Sequence, residues 1–135
     1  MPESEIVRAA LRFVNEINRH DLESVATLLS DDHLFVDALG QEVRGRDRCR
    51  DAWREYFGLF PDYHLAVREW FQNGRVVGLF GTASGTYAVG SELRAENRWR
   101  IPVACRAVVR DHLVAQWQVY ADSEPVWKIM GVKRY

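Results

Sequence analysis

The chain has 135 residues, 47% of them hydrophobic and 12% aromatic, and its 18 Lys and Arg against 19 Asp and Glu leave a formal charge of -1. That length is one ordinary domain, residues 1–135, with too little chain for a second core and enough apolar area to fold without staples. The balanced charge offers no field for a phosphate backbone or an anionic lipid surface, no stretch reaches the ~18 apolar residues of a membrane span, and Glu3 and Glu5 stand where a signal peptide would be basic. Two distant cysteines, Cys49 and Cys105, suit a reducing compartment, so the expectation is a cytoplasmic protein with neither nucleic acid nor membrane as partner.

Pro2 and two acids precede Ile6, Val7, Ala10, Leu11, Val14 and Ile17, whose three- and four-residue spacings predict an amphipathic helix of about four turns. His20-Asp21 interrupts it, and Asp21 can cap a second helix carrying Leu22, Val25, Ala26 and Leu29, which Ser30-Asp31-Asp32 stops. Leu34-Phe35-Val36 reads as a brief strand ending at Asp37, and the loop after it is punctuated by Gly40 and Gly45. A third helix begins near Asp47 and carries Cys49, Trp53, Tyr56, Phe57 and Phe60 until Pro61 ends it.

From Tyr63 the period moves toward 2. Asn73-Gly74 between Val67–Phe71 and Val76–Phe80 predicts an antiparallel hairpin, and Gly81, Gly85 and Gly90 predict bends or bulges at the end of its second strand. Arg98 to Arg110 reads as a long strand, in which Pro102 implies an edge or a bulge because it cannot donate to a ladder. The turn Arg110-Asp111-His112 leads into a last strand, Leu113 to Ala121. Asp122 or Ser123 can then cap a short helix with Pro125 in its first turn, Trp127 and Ile129 turned inward, and Gly131 at its end.

Helices followed by long antiparallel strands is the α+β arrangement, in which segregated helices cover one face of a sheet. A curved sheet wrapped around three N-terminal helices encloses a cone, whose open end is the natural seat of a small ligand. Trp99, Ile101 and Val103 alternate with Arg98, Arg100 and Pro102, so both faces of that strand carry bulk; one face is expected to meet a second subunit in a homodimer.

Several strings, in this order and spacing, resemble the SnoaL-like polyketide-cyclase branch of the nuclear transport factor 2-like (NTF2-like) superfamily. They are Phe13-Val14-Asn15, His20-Asp21-Leu22-Glu23, Leu28-Leu29-Ser30-Asp31-Asp32, Asp37-Ala38-Leu39-Gly40, Val43-Arg44-Gly45-Arg46-Asp47 and Val119-Tyr120-Ala121-Asp122. The resemblance spans essentially the whole chain and implies a cone-shaped domain, a small hydrophobic ligand, and cofactor-free isomerase, cyclase or dehydratase chemistry. It places Asp37 where the steroid-isomerase branch keeps its general base. It also shows departures: Phe13 stands for the first-helix tyrosine of that branch, Arg106 falls near its second aspartate, and Val119 replaces the last-strand aspartate of the cyclases.

A carboxylate at a strand end among apolar residues gains basicity, so Asp37 is the candidate catalytic group; it could equally brace the turn Asp37–Gly40 by accepting a backbone amide. Arg106, if inward, needs a carboxylate partner, for which Asp37 is the candidate; otherwise its head lies in water. Trp53, Tyr56, Phe57, Phe60 and Trp117 could wall a flat ligand or simply fill the core, and a buried Tyr56 hydroxyl could orient a ligand oxygen. The four histidines form no metal-binding spacing, and no GxGxxG or GxxxxGK precedes a helix, so neither metal nor cofactor is expected. The choice left open is between an enzyme working through Asp37 and a non-catalytic ligand-binding or dimerisation module.

Overall fold

Ser4 starts the first helix, α1 (Glu5–Asn18), by accepting the Val7 amide at 3.0 Å, and Val7, Ala10, Phe13, Val14 and Ile17 are its buried stripe. These details come from a computed structural model that describes residues 4–131; Pro2 and Glu3, expected to lead into this helix, lie outside them. Asp21 caps α2 (Leu22–Thr27) through the Ser24 amide at 3.1 Å.

The chain then departs from expectation. Leu29 does not end a helix but opens β1 (Leu29–Val36), and Ser30, Asp31 and Asp32 lie inside that strand. The acids belong there because Asp31 pairs with Arg46 at 2.9 Å and Asp32 with Arg110 at 3.0 Å, neighbours supplied by distant segments. A short strand, β2 (Glu42–Arg44), forms where only loop was expected, paired antiparallel with the end of β1. Helix α3 (Arg46–Leu59) follows Gly45, which takes φ +94 at the cap and donates its amide to the His33 carbonyl at 2.8 Å.

Strands β3 (His64–Asn73), β4 (Val76–Thr86), β5 (Arg98–Arg110) and β6 (Leu113–Tyr120) follow, then α4 (Glu124–Met130). The predicted hairpin exists, closing around Gly74-Arg75 with Asn73 paired to Val76. Asp111 and His112 both take positive φ in the β5–β6 turn, as a two-residue hairpin requires. Asp122 caps α4 by accepting the Glu124 amide at 3.0 Å.

The six strands run in the order β2-β1-β6-β5-β4-β3, antiparallel except where β1 lies parallel to β6. The sheet curls around α1, and the bulge expected on β4 at its glycines falls instead on the partner strand β3, between Val67 and Glu69 and opposite Gly81. Pro102 sits in a strand that is central by order, yet β6 pairs only from Ala104 onward, so its missing N–H faces an edge.

Alternation on β5 settles which face is inner. Trp99, Ile101, Val103, Cys105, Ala107 and Val109 are buried under the helices, and Arg98, Arg100, Pro102 and Arg106 are on the other face. Trp99, Ile101 and Val103 therefore form no exposed patch for a second subunit: all three are buried on the inner face, Trp99 against Phe60 and Tyr63. No helix of the described residues is long and apolar enough to cross a membrane.

Candidate functional site

The inner face of the sheet is longer than α1 can cover, and beyond the covered part lies a cavity of about 420 Å³ between the end of β1, α3, β6 and α4. Its walls are aromatic: Phe35 from β1, Trp53 and Tyr56 from α3, Tyr63 just before β3, and Trp127 from α4. Phe35, Trp53, Tyr56 and Tyr63 stand at steep angles to one another, with successive centroids 5.0 to 5.9 Å apart and interplanar angles of 70 to 84°. Edge-to-face packing of this kind locks the rings, so the wall is a fixed surface. Leu39, half exposed, stands at the rim.

Among the described residues Asp37 is the single carboxylate in the lining. Its Oδ1 accepts the amides of Leu39 and Gln41, each at 2.9 Å, while its backbone closes the loop through Gly40 N–H to Asp37 O at 2.9 Å. The aspartate therefore does brace the turn. Its second oxygen accepts nothing from the described residues, and that brace aims a fixed carboxylate at the cavity.

The other expected site residues divide. Trp53 and Tyr56 line the cavity with Asp37. Arg106 does not join them: Cys105 and Ala107 point inward, so Arg106 faces outward between Gly78 and Gln118, and no ion pair joins it to Asp37. Trp117 lies beneath the cavity rather than in its wall, 1% exposed and packed edge-on against Phe13 at 4.9 Å. Phe60 is core, and Phe57 stacks on His20 at 4.3 Å. Val119 does line the cavity, leaving an apolar side chain in that wall.

Sequence reasoning passed over Tyr63, treating it only as the start of a strand. Its role comes from α1: Asn18 donates to the Leu65 carbonyl at 2.9 Å and accepts the Leu65 amide at 2.8 Å, and His20 Nε2 donates to the Tyr63 carbonyl at 2.8 Å. Burial holds the Tyr56 and Tyr63 phenols far above their ordinary proton affinity, and Cys105, pushed up to about 12 by the same cause, stays a thiol. The phenols are thus hydrogen-bond donors and not bases at any ordinary pH. Among the described residues no three His, Cys, Asp or Glu side chains converge on a metal-sized site.

Residues 10–117 match the family model of the SnoaL-like domain. No curated protein matches the chain. Among solved structures it is similar to a protein with a ketosteroid isomerase-like fold from Catenulispora acidiphila, crystallised with trimethylamine, at 18% identity and TM-score 0.78, covering 98% of this chain and 96% of that one. A protein from Shewanella putrefaciens, provisionally designated a SnoaL-like polyketide cyclase, is 12% identical with TM-score 0.82 over 96% and 98% of the two chains. An LEH-like epoxide hydrolase of M. tuberculosis is 21% identical with TM-score 0.74 over 93% and 88%. At these identities the structures share the fold, and the match across residues 10–117 settles the family: the chain belongs to the SnoaL-like domain family and carries its NTF2-like fold.

Proposed function

We propose that the protein binds a small, largely hydrophobic molecule in this cavity, and that Asp37 exchanges a proton with it without a cofactor, as an isomerase, cyclase or dehydratase would. The observation that carries the reading is an aromatic-walled cavity holding one carboxylate, braced through one oxygen and open at the other. A bulky ketone such as 2-tetralone tests it directly, because NMR in D₂O reports exchange of its acidic α-hydrogens. The expected result is acceleration by the protein and a loss of about 100-fold or more in Asp37→Asn, which keeps the turn's acceptor and removes the base.

A second reading, binding without chemistry, is supported by the absence of a second acid from the cavity lining. Ketone exchange that the protein does not accelerate, or that persists in Asp37→Asn, rejects proton transfer and leaves binding alone.

We also propose a homodimer through the outer sheet face. Phe80, Ala104 and Tyr120 form one row across β4, β5 and β6 there, with Phe71 against Phe80 at 5.8 Å. Phe71 is 63% and Tyr120 51% exposed, more aromatic surface than an isolated outer face ordinarily shows water. The two unpaired buried cysteines fit a reducing compartment, and the cytoplasm is the proposed location.

A further inference from the structure

We infer that Tyr56 and Tyr63 form a paired donor seat for an oxygen acceptor on the ligand, so that the molecule taken by this cavity is an apolar body bearing a carbonyl-type oxygen and not a plain hydrocarbon. The inference rests on the cavity being the binding site proposed above; it does not require the proton transfer.

The starting observation is a deficit of acceptors. Tyr63 is only 8% exposed and Tyr56 is half-buried, both line the cavity, and neither hydroxyl is hydrogen-bonded to a described residue, so both open onto the cavity. The indole N–H of Trp53, in the same wall, is buried and unpartnered as well. A buried donor left unpaired forfeits its bond to water, a cost proteins rarely tolerate without a reason. Asp37, the only carboxylate in the lining among the described residues, bonds to the Leu39 and Gln41 amides and to neither phenol.

The rings are held in place. Tyr56 is held edge-on by Phe60 at 4.9 Å and Trp53 at 5.9 Å, and it meets Tyr63 at 5.0 Å and 84°. Tyr63 is fixed from the main chain: its amide donates to the Phe60 carbonyl at 3.0 Å, its carbonyl accepts from His20, and the next turn of chain is gripped by the Asn18 amide. The corner after α1 thus acts as a clamp that presets Tyr63, and a preset donor loses little entropy when an acceptor arrives. Both phenols stay protonated, since burial opposes ionisation and each ionised neighbour would oppose it further.

A pair of probes of equal shape separates this seat from mere apolar binding: 2-acetylnaphthalene and 2-isopropenylnaphthalene, which differ by a carbonyl oxygen in place of a methylene. Their binding is read by quenching of tryptophan fluorescence, Trp53 and Trp127 being in the wall. A cavity that is only apolar prefers the alkene. A donor seat reverses the order, and the ketone is expected to bind about tenfold more tightly, the worth of one to two net hydrogen bonds. Tyr56→Phe and Tyr63→Phe should each reduce that preference severalfold and together abolish it, with alkene affinity unchanged. Both variants should melt no lower than the parent, because each removes a hydroxyl that is bonded to no described residue. The inference is overturned if the parent binds the alkene as tightly as the ketone, if the double variant keeps the preference, or if both single variants lose stability. In the first of these cases the cavity still binds and the reading above survives; if neither probe binds, the cavity reading fails together with the inference.

Discussion

Gly81 is where the curvature of the sheet can be tested most directly. A methyl group built on it would lie 1.8 Å from the Ala66 carbonyl oxygen and 2.8 Å from its carbon, both backbone atoms beside the β3 bulge. An ordinary carbon–oxygen contact is about 3.3 Å. Strand β3 would therefore have to retreat about 1.5 Å at a point where the ladder on both sides fixes it. Giving up one or two ladder bonds and the local packing costs about 3 kcal/mol, equivalent to about 10 °C in midpoint for a chain of this length. Gly78→Ala is the control on the same strand: its nearest contact is the Phe80 ring at 3.3 Å, a half-exposed side chain that can tilt, so its cost should stay under about 1 kcal/mol. Urea unfolding of both variants measures the difference. A Gly81→Ala loss below about 1 kcal/mol, or one equal to that of Gly78→Ala, would show that β3 does not depend on close approach at this point. Because the retreating segment adjoins Leu65 and Tyr63, Gly81→Ala should also weaken ketone binding in the cavity.

Other outcomes follow from the same structure. His33 is fully buried, donates its Nδ1–H to the Val114 carbonyl at 2.6 Å, and has an unpartnered Nε2; burial lowers its proton affinity below the usual 6.5, against weaker raising by the Val114 bond and by Asp32. Its folded pKa is depressed, so its contribution to stability is complete above pH 6.5 and is lost as pH falls below that value, with a slope up to about 1.4 kcal/mol per pH unit. Urea unfolding between pH 7.5 and 5.5 should show this slope, and His33→Gln should flatten it; equal slopes would assign it to other groups. Asp37→Ala should lose about 1 to 2 kcal/mol from its two turn bonds while Asp37→Asn stays within about 0.5 kcal/mol, and equal losses would mean that the charge rather than the acceptor braces the turn. If the outer sheet face joins two copies, Phe71→Glu combined with Phe80→Glu should convert a dimer of twice 15.7 kDa to monomer in sedimentation without lowering the monomer's own stability; a parent that sediments as monomer would dismiss the interface.

The elements legible in the sequence are those whose residues answer to local rules. Period 3.6 in Val7 to Ile17, a cap at Asp21, Pro61 after α3, glycine in the β3–β4 turn and Gly131 at the end of α4 each act within one or two turns of chain, and each element appeared where its pattern lies. The position of Asp37 at a strand end was legible for the same reason, as were Trp53 and Tyr56 on one helical face. What remained hidden depended on partners distant in sequence. Asp31 and Asp32 look like a helix stop until Arg46 and Arg110 arrive beside them, and three residues as polar as Glu42–Arg44 become a strand only because β1 offers an edge. Alternation along β5 set Arg106 and Cys105 on opposite faces, but which face is inside was decided by where α1 packs. Tyr63 entered the cavity wall because a corner some forty residues earlier grips its backbone. Spacing encodes which residues share a face; only the packing of one face against another determines which of them meet a ligand, since burial and donor satisfaction are properties of the assembled surfaces.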